Sequence, residues 1–319
     1  MLPKPQYPIS LQTIDDQLLT DKQLSLSLLR IDQINPLISG NKWFKLKHNL
    51  IAAKQQGYQT LLSFGGPYSN HLHALAAAGQ AADFNTIGII RGEEHLPLNP
   101  TLSDVVAQGM KLYYLNRSTY RNKHKPEVIA HIRAMVAEDF YLVPEGGTND
   151  LAVKGAAEIA ALIPDDSSDV CVPCGTGGTI AGIITGLSAN IRKPQRHQPR
   201  VLGFPALKGG QFLQQTITEL LKSNTQINWQ LFHNYHFGGF GKINQSLALF
   251  IHEFEKKHAL ELDPIYTAKM MYAIVHLIEQ DFFPKGSKIV AVHTGGLQGK
   301  RGMEQKIQSL IANAAKDKG

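Results

Sequence analysis

Lys42 lies in the run Ser39-Gly40-Asn41-Lys42-Trp43-Phe44-Lys45-Leu46, far upstream of two glycine-rich turns, Cys174-Gly175-Thr176-Gly177-Gly178-Thr179 and His293-Thr294-Gly295-Gly296. A lysine attacks an aldehyde only as the free amine, so burial or nearby cations must lower its pKa. Gly40 on one side and Trp43-Phe44 on the other suit a partly buried position, although most lysines keep their ammonium at the surface. In the first glycine-rich turn, the backbone can come close to an anion and the free amides of a helix start point toward it. Thr179 adds a hydroxyl. The same residues also suit a tight strand-to-helix turn that binds nothing. No Lys-Ser or Lys-Thr closes a Walker loop, and G-T-G-G-T lacks the G-x-G-x-x-G spacing of a dinucleotide fingerprint, so the turn suits one phosphate group. Gly177 is the position where an added side chain is expected to intrude on that phosphate. Between the lysine and this turn, Tyr68-Ser69-Asn70-His71 offers a helix cap that is also a place for a carboxylate. His71 and His73 are two apart on the helix that follows and point different ways, which argues against a metal pair.

The elements that must position these residues alternate. Past the first fifty residues, strand patterns cover Thr60–Phe64, Thr86–Ile90, Lys111–Leu115 and Phe140–Pro144, with helical spacing over Asn70–Ala82, Thr101–Gly109 and Glu127–Glu138. A second set of strands covers Asp169–Pro173, Arg200–Phe204, Asn228–Phe232 and Lys288–His293. This βαβα rhythm implies parallel sheets covered by helices, an α/β fold. Glu145-Gly146-Gly147-Thr148-Asn149 reads as a seam between two such units, with Asn149 or Asp150 capping the next helix. Ligands of open parallel sheets bind beyond the carboxyl ends of the strands. Apart from Lys42, every motif named above directly follows one of the strands. A Schiff-base lysine, a single-phosphate cradle and a polar partner for a ring nitrogen are together what pyridoxal phosphate (PLP) requires of a protein.

The 319 residues suffice for two domains, and 43% hydrophobic with 18% charged residues describes an ordinary globular chain. The net charge of +6 is thinly spread. Its densest stretch, Arg192 to Arg200, has two prolines and no interleaved aromatics, so a surface loop is expected and no nucleic-acid partner. No signal peptide and no membrane-length apolar run is read, and the cytoplasm is the expected compartment. Cys171 and Cys174 supply at most half a zinc site, and the strand around Cys171 favours buried packing, so no metal is expected.

From Gly40 to Gly296 the chain resembles the PLP-dependent fold type II enzymes that include 1-aminocyclopropane-1-carboxylate (ACC) deaminase and D-cysteine desulfhydrase. The family's G-N-K-x-x-K-L stands here as Gly40–Leu46, its S-N-[HQ] turn as Ser69-Asn70-His71 and its D-P-[VI]-Y as Asp263-Pro264-Ile265-Tyr266, beside the phosphate loop and the H-x-G-G turn. The resemblance implies two parallel-sheet α/β domains with PLP in the cleft between them. The large cofactor-binding domain would comprise residues 1–50 and 153–319, the small one residues 51–152. It implies that Lys42 holds PLP and then moves protons, and that Asn70 bonds the cofactor's phenolic oxygen. Ser69 would lie where the substrate carboxylate arrives, beside His71, and Tyr266 would lean over the substrate. Gly175, Thr176, Gly177, Gly178 and Thr179 would hold the phosphate, and Thr294 would face the pyridine nitrogen. A small amino-acid substrate and a homodimer are implied as well.

Within the family, ACC deaminases carry an acid after the D-P-x-Y tyrosine and leucine in the H-x-G-G slot. Thr267 and Thr294 here follow the D-cysteine desulfhydrase pattern. A lyase reaction giving a 2-oxo acid and ammonia is therefore expected, with D-cysteine as substrate. ACC deamination, β-replacement and an impaired PLP-binding protein are the alternatives. Two departures touch the substrate side: Phe240-Gly241 stands where relatives place a tyrosine before glycine, and Tyr68 replaces the glutamine before Ser-Asn.

Overall fold

The computed structural model describes residues 3–190, 198–222 and 225–316. Of the basic stretch 192–200, residues 192–197 fall outside them. Ten strands form two sheets among the described residues: β1 (Leu11–Thr13), β2 (Ser25–Leu29), β3 (Thr60–Gly65), β4 (Asn85–Arg91), β5 (Met110–Leu115), β6 (Tyr141–Leu142), β7 (Asp169–Cys174), β8 (Arg200–Pro205), β9 (Trp229–Leu231) and β10 (Lys288–Val292). The larger sheet has the order β1-β2-β10-β7-β8-β9 and the smaller β5-β4-β3-β6. Every pairing is parallel except β1 with β2. The expected α/β fold of parallel sheets is thus the fold observed.

Central strands β3 and β7 are buried along their whole length, as expected when helices cover both faces of a parallel sheet. Val170, Val172 and Cys174 of β7 join one apolar cluster and Cys171 joins another, so alternate side chains pack opposite faces of the sheet. Both cysteines are free and buried, and burial pushes both thiols up, Cys174 to about 12.

The helices that carry the site are α1 (Asn41–Gln55), α2 (Asn70–Ala81), α3 (Asp150–Ala157), α4 (Gly178–Asn190), α5 (Phe212–Leu221) and α6 (Thr267–Glu279). Ser69 caps α2 by accepting from the Leu72 amide at 3.2 Å, and Asn149 caps α3 by accepting from the Ala152 amide at 2.9 Å. The start of α1 is fixed differently. Gly40 has φ +65, and a Cβ there would lie 1.9 Å from the Thr294 carbonyl oxygen. Only glycine lets the H-x-G-G turn lie directly on the residue that opens the lysine helix.

Candidate active site

A cavity of about 990 Å³ opens between the carboxyl ends of the two sheets. Its wall includes Lys42, Tyr68, Ser69, Asn70, His71, Gly175, Thr176, Gly177, Gly178, Thr179, Phe240, Tyr266 and Thr294. The structure brings these residues, expected from the sequence at one site, to one place, whereas Thr267 is buried at the start of α6 and is not part of the wall. β3 delivers the Ser69 turn, β7 the Gly175 turn and β10 Thr294, each from the end of its strand.

Lys42 is half-buried in the first turn of α1. Burial lowers its pKa to about 8, with the Asp263 carboxylate opposing the shift. Its Nζ donates to Asn41 Oδ1 at 3.0 Å, and Asn41 Nδ2 donates to Thr179 Oγ1 at 2.7 Å. The lysine is thereby tied to the start of α4 across 137 residues of sequence.

The cradle contains a residue that the sequence reading passed over. Lys45, one turn beyond Lys42, is buried, and its Nζ donates to the Gly146 carbonyl and, at 2.8 Å, to Thr148 Oγ1. Thr148 in turn hydrogen-bonds Thr176. A Cβ on Gly178 would lie 3.1 Å from Lys45 Nζ and 3.0 Å from the Thr148 side chain. An ammonium, two hydroxyls and the free amides of α4 therefore surround one spot, a set suited to a phosphate dianion. Burial and the charge of Lys42 hold the Lys45 pKa well below its usual range, a cost that a bound anion offsets. The i, i+3 spacing of Lys42 and Lys45 was the available signal.

Gly177 corrects the sequence expectation. Its φ is +80, and an added Cβ would meet Ile217 of α5 at 2.9 Å, so a side chain there enters the core and not the cradle. Two substitutions should therefore separate. Gly177→Val is expected to lower thermal stability and PLP affinity together, through backbone strain and collision with α5. Gly178→Ala sits at the cradle in helix-compatible backbone and should weaken PLP binding roughly tenfold, about the value of one charged hydrogen bond, without lowering the melting temperature. Cofactor titration and thermal unfolding of both variants check this.

On the opposite wall, Asn70 Oδ1 accepts from Gln298 Nε2 at 2.6 Å, and Gly296 packs closely on the Asn70 amide. His71 is buried and hydrogen-bonded through Nε2 to Ser63 Oγ at 2.8 Å; burial drives its pKa well down, so it is neutral. His73 turns instead to Asp104, 3.4 Å away. Tyr68 stands at the rim, its ring against Gly302.

Asp263 organises the Tyr266 side. Its Oδ1 accepts from the amides of Tyr266 at 2.6 Å and Thr267 at 3.4 Å, so it holds the backbone where α6 begins. Its Oδ2 is buried with no partner among the described residues, and burial pushes the carboxyl up to about 7. The Thr267 hydroxyl is likewise buried and unpartnered. Tyr266 presents its ring edge and hydroxyl 3.1 Å from where a Cβ on Gly175 would be. Burial, then the charge of Asp263, raises its pKa far above that of free tyrosine, so the phenol keeps its proton. Phe240 packs edge-to-face on that ring, centroids 5.9 Å apart at 64°.

A lysine with a lowered pKa, a helix start lined by an ammonium and hydroxyls, and a buried carboxyl beside a protonated phenol are a set of groups that fits PLP in an α/β fold. Residues 19–295 match the model of the pyridoxal-phosphate dependent enzyme family, and the chain belongs to that family. It is 27% identical to a Pyrococcus horikoshii protein provisionally named a 1-aminocyclopropane-1-carboxylate deaminase, over 86% of this chain and 85% of that one. It is 28% identical to the Arabidopsis thaliana mitochondrial bifunctional D-cysteine desulfhydrase/1-aminocyclopropane-1-carboxylate deaminase, over 86% and 73%. Among solved structures, an ACC deaminase homologue superposes with a TM-score of 0.83 at 24% identity, covering 97% of this chain and 96% of that one. Among the described residues no helix is long and apolar enough to cross a membrane.

Proposed function

We propose that the chain is a PLP-dependent lyase that eliminates sulfide from D-cysteine. The net reaction converts D-cysteine and water to pyruvate, hydrogen sulfide and ammonia. The observation that carries this reading is the pair of threonines: Thr294 lines the cavity at the end of β10, and Thr267 buries an unpartnered hydroxyl at the start of α6. When bound, PLP supplies an electron sink for the pair left at the substrate α-carbon. A hydroxyl at the ring nitrogen makes a weaker sink than a carboxylate, which suits expulsion of a good leaving group over opening of a cyclopropane.

The chain's own groups divide the remaining work. Lys45, Thr148 and the start of α4 would hold the phosphate, and Asn70 the phenolic oxygen. The N-terminus of α2 with Ser69 would orient the substrate carboxylate. Lys42, its pKa lowered by burial to about 8, is suited to take and return the α-proton. Tyr266 stays protonated and would donate toward the leaving group, with Phe240, Tyr68 and His71 shaping the space around it. The resemblance also supports residues 51–152 as a small domain against 1–50 with 153–319, in a cytoplasmic homodimer.

The test is a comparison of the PLP-loaded enzyme on D-cysteine, L-cysteine and ACC, measuring sulfide and 2-oxo acid. D-Cysteine turnover well above ACC turnover is expected. ACC turnover equal or faster would overturn the ranking and leave the ring-nitrogen argument without support. Adding an external thiol and finding a new amino acid would assign β-replacement instead.

A further inference from the structure

Lys269 is a fully buried lysine that none of the chemistry above uses. It lies on α6, three residues beyond Tyr266, and is 1% exposed. Its Nζ donates to the carbonyls of His236 at 2.9 Å, Gly239 at 2.8 Å and, more weakly, Ala206 at 3.5 Å. An ammonium has three protons, and all three are directed at backbone oxygen. Burying a charge this deeply costs several kcal/mol unless each proton is satisfied, so the arrangement calls for a role.

Two of the acceptors belong to the segment His236-Phe237-Gly238-Gly239-Phe240-Gly241. Phe237, Gly238, Gly239 and Gly241 all have positive φ, at 50, 92, 116 and 65. A chain with three glycines in six residues has much conformational freedom to lose. Its own turn bonds run from the Gly238 amide to His236 Nδ1 at 3.0 Å, from the Gly239 amide to the His236 carbonyl at 2.9 Å and from the Lys242 amide to the Gly239 carbonyl at 3.1 Å. Beyond these, no sheet or helix bond among the described residues holds it. Its end carries Phe240, whose ring forms cavity wall and packs edge-to-face on Tyr266. Lys269 and Tyr266 leave the same end of α6, so the ammonium fixes the loop backbone while the phenol ring meets the side chain that the loop delivers.

We propose that Lys269 is a positioning residue: it pins the His236–Gly241 loop through its carbonyls, and so sets the substrate-side wall that Phe240 and Tyr266 form. The inference rests on the cavity being the substrate site, as argued above. The pinned wall limits the volume beside the substrate side chain, so loosening it should affect substrate fit more than cofactor retention.

The test uses Lys269→Met, which keeps the stem and removes the charge, in the PLP-loaded enzyme. Amide hydrogen exchange is followed by peptide. Exchange over residues 236–241 should rise roughly tenfold or more while β7 and α4 stay unchanged, as expected for local and not global opening. On the best amino-acid substrate, KM should rise roughly tenfold, with kcat and PLP affinity little changed. Unchanged exchange over 236–241, or a rise spread evenly over the chain, would overturn the proposal. If Lys269→Met does not fold, Gly239→Ala tests the loop from its other side: its φ of +116 strains any side chain, and the added Cβ would lie 3.2 Å from Lys208 Cβ. That variant should show the same KM effect and the same local exchange; absence of both effects would overturn the proposal. The exchange readout needs no turnover, so an enzyme inactive on every amino acid would refute the proposed function and leave the Lys269 result to be judged separately.

Discussion

Lys42→Ala is expected to abolish covalent attachment of PLP and to lower turnover by about 10⁴-fold, the upper range for loss of a positioned acid-base group. In the wild type, borohydride should fix the cofactor mass to the peptide containing Lys42, and the purified protein should be yellow. Lys45 makes this a sharp test. It lies on the same helix one turn on, is buried, and also has a lowered pKa. Lys45 donates to Gly146 and Thr148, whereas the Lys42 amine bonds only its neighbour Asn41 among the described residues. A label on Lys45 would reverse the assignment of aldehyde partner and phosphate partner.

The protonation state of Lys42 gives the same claim a pH axis. An ordinary lysine at pH 7 has roughly one free amine in 3,000, whereas one with a pKa of about 8 has about one in ten. Capture of added PLP by the apoprotein needs the free amine. Its rate should therefore climb with pH to about 8 and then level off. A rate still climbing steeply to pH 10 would show that burial does not lower this lysine's pKa.

How much of this was legible in the sequence varies with distance along the chain. Strand β7, the turn at Gly175 and helix α4 are consecutive, so local pattern located them together. The contact of Gly40 with the Thr294 carbonyl joins positions more than 250 residues apart, and no local pattern reports it. The same holds for Lys45, whose significance comes from Thr148 and Gly178 arriving from elsewhere. Strands β1 and β2 went unread because β1 is three residues long at an exposed antiparallel edge, too short for an alternation to register. β6 is shorter than the apolar run 140–144 because Val143 and Pro144 already lead into the turn at Glu145. Gly177 shows a further limit: its type announces a special backbone, but only the folded structure shows that a side chain there would point at Ile217. The pairing of Lys269 with the Phe240 loop was equally invisible, since a lysine in an apolar helix does not announce its acceptors.

Tyr266→Phe should lower kcat by about 10²–10⁴-fold, the usual range for a positioned proton donor, with PLP affinity retained. Burial and then the Asp263 charge raise the phenol's pKa, so at neutral pH it can give a proton and cannot act as a base. Asp263 Oδ1 holds the Tyr266 amide, which fixes where the ring leaves α6. Phe240 against the ring then limits its swing. Removing the hydroxyl leaves both constraints in place, so the loss should fall on the chemical step and not on folding. Phe240→Tyr is the companion experiment. It adds a hydroxyl on the same wall and should raise turnover for at least one small amino acid, again with PLP affinity unchanged. Tyr68→Phe at the rim should do the reverse, by a smaller factor. If Tyr266→Phe retains full kcat on every amino acid turned over by the wild type, the proton must come from elsewhere. Lys42 would then be the remaining candidate, because His71 is held neutral against Ser63.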